Sequence, residues 1–135
     1  MSIERVNPAE LARPSGFSHA VVAQGRVVFL AGQTALDASG AIVGDGVVAQ
    51  FERALASLLI ALREAGGAPE DLTSLTVYAT DLADYREHGA EIGAVWRRLV
   101  GRVYPAMAAI GVSRLWDDAA LVEIAGFAVI GTPGR

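Results

Sequence analysis

At 135 residues the chain falls in the size range of one domain and can bury roughly two thirds of its unfolded surface around one core. It holds no cysteine, which excludes a disulfide framework and a Cys-based zinc site, and its formal charge of -4, with acids and bases interspersed, offers no basic stripe for phosphates. These features favour the cytoplasm and a small-molecule ligand, with no nucleic acid and no membrane: no apolar run approaches the ~20 residues that span a bilayer, and Met1 to Pro14 lacks an apolar stretch flanked by basic residues.

Two β-branched and aromatic runs, Ala20 to Gln24 and Arg26 to Ala31, flank Gly25 and predict a hairpin of strongly buried strands. A turn at Asp37 to Gly40 follows. Val48, Phe51, Leu55, Leu58, Leu62 and Ala65 recur at intervals of three and four. On a helical period they share one stripe, so a helix is predicted from Val47, and Gly66-Gly67 tolerates the left-handed backbone that ends it. Thr73 to Thr80 alternates Leu75, Val77 and Ala79 with polar residues, as a strand with unlike faces does. Asp84 and Glu87 form a capping-box-like start to a second helix running to about Leu99, with Tyr85, His88, Ile92, Val95 and Leu99 on its apolar face. Ala106 to Val112 and Ala120 to Ile130 predict two closing strands, with Leu115 to Ala119 as a polar turn.

Two helices can cover only one face of a single sheet. In Ala20 to Ala31 and Leu121 to Ile130 nearly every position on both faces is apolar or small, and an exposed patch of that size normally marks an interface. Self-association into a closed ring is the simplest cover. Loose composition is confined to Asn7 to Gly16 and Gly131 to Arg135, so residues 1–135 are expected to form one domain.

Taken in chain order, Gly16-Phe17-Ser18-His19-Ala20-Val21, Phe29-Leu30-Ala31-Gly32-Gln33, Pro105-Ala106-Met107 and Val122-Glu123-Ile124 resemble the Rid family, small reactive-intermediate deaminases that hydrolyse imines and enamines. The resemblance runs from about Ser15 to Ile130. It implies an α+β, chorismate-mutase-like fold with a single sheet of about six strands and two helices on one face, a homotrimer with clefts between neighbouring subunits, and no cofactor. Deaminating members carry an Arg in a Pro-Ala-Arg motif that grips the substrate carboxylate through two parallel hydrogen bonds. Here that position is Met107. The family's Cys two residues later is Ala109, its early Tyr is Phe17, and its water-positioning Glu is Ala125. Glu123, two residues before Ala125, and Gly32, whose backbone N–H helps hold the carboxylate in the family, both remain.

With these substitutions the implied cleft is apolar and suits a neutral or aromatic ligand contacted by Phe17, Gly32, Met107, Ala109 and Ala125. The same small residues equally allow subunits to pack closely, with Met107 filling a gap. Glu123 either pairs with Arg114 or faces the cleft as a general acid or base. His19, near the expected mouth of the cleft, is the second acid–base candidate, because an imidazole titrates near neutral pH. His88 is expected to be a satisfied, partly buried residue and Trp96 a packing residue. Trp116, followed by Asp117 and Asp118, either caps a neighbouring cleft or sits in solvent. No metal site is expected, since no His-x-His or His-Glu-x-x-His occurs, and no Ser stands in a Gly-x-Ser-x-Gly context. The chain is expected to hydrolyse or tautomerise an imine or enamine that lacks a gripped carboxylate, without 2-iminobutanoate/2-iminopropanoate deaminase activity. The alternative is a non-catalytic trimer that binds a small ligand or protects other proteins.

Overall fold

The computed structural model describes residues 3–131. In chain order these form β1 (Ile3–Val6), β2 (Ala20–Ala23), β3 (Arg26–Gln33), α1 (Val47–Glu64), β4 (Leu72–Ala79), α2 (Leu82–Glu87), α3 (Gly89–Leu99), β5 (Ala106–Gly111) and β6 (Val122–Ile130), with a single 3₁₀ turn at Pro69–Asp71 before β4. Residues 132–135, most of the C-terminal stretch of loose composition, lie outside the described residues.

The long helix follows from its apolar period. Phe51, Ala54, Leu55, Leu58 and Leu62 of α1 are buried against Leu75, Val77, Val122, Ile124 and Ala128 of the sheet and against Ile92, Val95 and Trp96 of α3. Each fully buried leucine contributes about 1.5–3 kcal/mol of transfer free energy. One polar side chain shares the stripe. Gln50 is 4% exposed; its Oε1 accepts from the Leu121 N–H at 2.8 Å and its Nε2 donates to the Ala119 carbonyl at 3.2 Å, tying α1 to the segment entering β6. The helix ends as expected, with Gly66 at φ 97.

The five expected strands are present, joined by an unexpected β1, but they pair otherwise than expected. β3, β6, β4 and β5 form a sheet in that order, β4 and β5 parallel and the other pairs antiparallel. β1 and β2 form a separate antiparallel ribbon with Ile3 opposite Ala23. The expected hairpin across Gly25 is therefore absent, and the single sheet of about six strands is a sheet of four plus a ribbon of two. The eight residues of β3 find a longer partner in the nine of β6 than the four of β2 could offer. Gly25, at φ 148, takes the chain past the end of β6, where an added Cβ would lie 2.8 Å from the Ile130 carbonyl carbon. β2 is left to pair with Ile3–Val6, whose two central charges hide a strand of only four residues.

The second helix is divided in two, giving three helices in place of the expected two. Asp81, three residues before the expected start, caps α2 by accepting from the Asp84 N–H at 3.0 Å. His88 then stands at φ −95 and ψ 19 and separates α2 from α3. Its ring Nδ1 donates to the Asp84 carbonyl at 2.9 Å, and Gly89 follows with little helix preference of its own. Trp96 is a packing residue: its Nε1 donates to the Val103 carbonyl at 3.1 Å and its ring stacks on Tyr104.

α1 and α3 lie on one face of the sheet. On the other, Phe29 packs edge-to-face on its cross-strand partner Phe127 with ring centres 5.4 Å apart, yet these rings are 77% and 43% exposed, and Val27 beside them is 54% exposed. The strands expected to be strongly buried are open on this side in the single chain. No helix among the described residues is long and apolar enough to cross a membrane.

Candidate functional site

The residues singled out from the sequence fall into two groups at opposite edges of the sheet. The first lies where β3 meets β6. Their pairing slips between Leu30 and Gln33, so Gly32 sits in an irregular step with Gln33 opposite Ile124. Gly32 is not among the glycines with positive φ, so its backbone does not demand a glycine. Space demands it: an added Cβ would collide with Oε2 of Glu123 and lie 2.8 Å from its Cδ. The Glu123 carboxylate thus lies directly against the Gly32 backbone. Across the sheet Glu123 stands opposite Tyr78, and Ala125 opposite Thr76. Glu123 enters no ion pair among the described residues. Arg114, its possible partner on sequence grounds, bonds Asp118 at 3.0 Å across the exposed turn that carries Trp116. A four-residue spacing within one turn reaches Asp118 with less chain ordering than a reach across two strands.

The second group lies at the start of β5. Ser18 fixes it, donating its N–H to the Pro105 carbonyl at 2.9 Å and its Oγ–H to the Tyr104 carbonyl at 2.7 Å. Ser18 is itself buried, so its hydroxyl is held by this bond and is not offered as a nucleophile. Phe17 and His19 flank it with their rings edge-to-face at 5.1 Å. His19 Nε2 donates to the Ala12 carbonyl at 2.7 Å while its N–H donates to Asn7 Oδ1 at 2.8 Å, so this histidine ties down the N-terminal loop. Met107 stands opposite Leu75 and Ala109 opposite Val77, which sets both on the helix-bearing face, Met107 resting against the edge of the core.

One chain therefore brings Gly32 and Glu123 together, and Phe17, His19 and Met107 together, but does not unite the two groups. β3 and β5 are the outer strands, about 14 Å apart at the usual strand spacing, and Met107 and Glu123 point to opposite faces. Trp116 is 94% exposed on the β5–β6 turn, in solvent. His88 is partly buried and satisfied; its hydrogen bond to the Asp84 carbonyl raises its pKa, helped by the charges of Asp84, Glu91 and Glu87. Among the described residues no three His, Asp or Glu side chains gather as a metal site would require. Gln50 and Ser18 are the structural anchors that sequence reasoning passed over. A Gln on an otherwise apolar stripe was the available signal for the first; nothing local marked the second.

This arrangement has known counterparts. A family model described as endoribonuclease L-PSP matches residues 8–130. The chain belongs to this family, that of the Rid and RutC proteins, as its motif order implied. A RutC family protein of Pyrococcus abyssi is 31% identical over 95% of this chain and 98% of its own. The 2-iminobutanoate/2-iminopropanoate deaminase of Capra hircus is 31% identical over 85% of this chain and 80% of its own. A crystal structure of YyfB, a Rid family protein of unknown function from Yersinia pestis, matches at a TM-score of 0.86 and 34% identity, covering 96% of this chain and all of that one.

Proposed function

We propose that the chain, one domain over residues 1–135, works as a cytoplasmic homotrimer whose ligand site lies between subunits and takes small imines or enamines without a gripped carboxylate. One observation carries this reading: the two groups of candidate residues sit toward opposite edges of a sheet whose second face, with Val27, Phe29 and Phe127, the chain itself leaves open. A neighbour laid against that face covers Phe29 and Phe127 and sets the β5 edge of one subunit beside the β3 edge of the next. The cleft so formed is lined by Phe17, Met107 and Ala109 from one side and by Gly32, Glu123 and Ala125 from the other. In hydrolysis, water adds to the C=N carbon, the C–N bond then breaks, and a carbonyl compound and ammonia or an amine leave. Glu123 is the group that would take the proton of the attacking water and return it to the departing nitrogen.

The imine released from benzylamine by an amine oxidase tests this, with hydrolysis followed by carbonyl appearance. Expected is an acceleration that Glu123→Gln abolishes, with little acceleration of 2-iminopropanoate, because Met107 has no charge to offer its carboxylate. Absence of any acceleration of the neutral imine contradicts a catalytic role. A non-catalytic binding trimer is the second reading. It draws support from His19, whose ring Nε2 is engaged with the Ala12 carbonyl of the N-terminal loop.

A further inference from the structure

We infer that the Glu123 carboxylate, set in the side-chain space of Gly32, makes the cleft selective for a cationic ligand, a protonated imine or amine bearing an aromatic or apolar group. This rests on the intersubunit cleft proposed above and deepens it by assigning the charge of what enters.

Three features support it. The first is the contact itself: Gly32 has no side chain because the Glu123 carboxylate occupies that space, and an anion approaching the same backbone meets a negative charge already in place. The second is that Glu123 enters no ion pair among the described residues. Met107 is neutral and Arg114 is engaged with Asp118. Arg26, on β3 itself, lies at the far end of the strand, where its guanidinium approaches Gly66. The third is the company the carboxylate keeps. Tyr78 stands opposite Glu123, Ala125 and Phe127 follow it on the same face of β6, and Phe29 packs on Phe127. Aromatic faces attract cations and repel anions. A carboxylate opposite Tyr78 on this face and closed off by a neighbouring subunit costs desolvation that a bound cation offsets and a bound anion would increase.

Three probes of one shape measure the charge preference in the assembled wild-type protein at neutral pH: benzylammonium, benzyl alcohol and benzoate, titrated by calorimetry. Benzylammonium is expected to bind on the order of tenfold more tightly than benzyl alcohol, and benzoate the most weakly of the three. Glu123→Gln keeps the shape of the side chain and is expected to bring ammonium and alcohol to equal affinity. Gly32→Ala is expected to do the same by pushing the carboxylate aside while alcohol binding persists. If benzyl alcohol binds as tightly as benzylammonium, or if the preference survives Glu123→Gln, the charge assignment is overturned and the cleft itself stands. If none of the three probes binds to the assembled protein, the intersubunit cleft falls and this inference with it.

Discussion

Both faces of the central sheet carry apolar residues, and they are completed in different ways. On one, Leu75, Val77, Val122 and Ile124 meet α1 and α3 of the same chain and lose essentially all contact with water. On the other, Val27, Phe29 and Phe127 stay open to water, with Phe29 and Phe127 packed only edge-to-face on each other. Alternation along a strand says that a face is apolar; it does not say whose surface covers it. The closed face contributes to folding of the subunit, and the open face, in the account proposed here, contributes to assembly.

Substitutions on the two faces should therefore separate into two kinds of loss. The largest is expected on the closed face: Leu55→Ala leaves a cavity in the middle of the core and should lower the stability to urea unfolding by about 2–5 kcal/mol. Phe29→Asp is the matching change on the open face. It should leave the far-ultraviolet circular dichroism of the subunit unchanged while weakening association by about 2–4 kcal/mol, roughly 30- to 1000-fold in dissociation constant by sedimentation. A loss of subunit folding from Phe29→Asp would erase the distinction. Gln50→Ala sharpens it from the polar side, since the Leu121 N–H and Ala119 carbonyl would lose their partner inside the closed layer. A cost of about 1–3 kcal/mol, read from the same urea curves, is expected with no change in association.

The smallest effect is expected at the joint between α2 and α3. His88 has a pKa raised above 6.5 in the folded protein, first by its bond to the Asp84 carbonyl, so its charged form favours folding. That contribution is fully present below pH 6.5 and is lost as pH rises through the raised folded value. His88→Asn should therefore lower the melting temperature slightly at pH 5.5 and leave it unchanged at pH 8.5. A drop at pH 8.5 equal to that at pH 5.5 would show that packing, and not charge, is what His88 supplies.

How much of this was legible beforehand follows the same division. The stripe from Phe51 to Leu62 is local, repeats at the helical period and needs no partner to be recognised. The strands β3 to β6 were also visible as β-branched runs, and the motifs set along them carried the family. Pairing was not visible, because whether β3 joins β2 or β6 depends on contacts more than 90 residues apart in the chain. β1 was missed since Glu4 and Arg5 break any apolar pattern in a four-residue strand. The break at His88 hid behind an apolar face that continues in register through it. Of the candidate site, the residue types were readable at Phe17, Gly32, Met107, Ala109, Glu123 and Ala125. That Glu123 lies on Gly32, and that Met107 faces the helices, depends on a strand irregularity and on sheet order, which no short motif encodes.

The claim on which the rest depends is that the open face is covered by copies of the same chain. Light scattering on the purified protein at micromolar concentration measures this directly. Three subunits of 14.0 kDa predict a particle of about 42 kDa, whose mass falls when Phe29 is replaced by Asp. A stable particle of 14.0 kDa would show that the face with Val27, Phe29 and Phe127 stays open in solution, and the intersubunit cleft would have no walls.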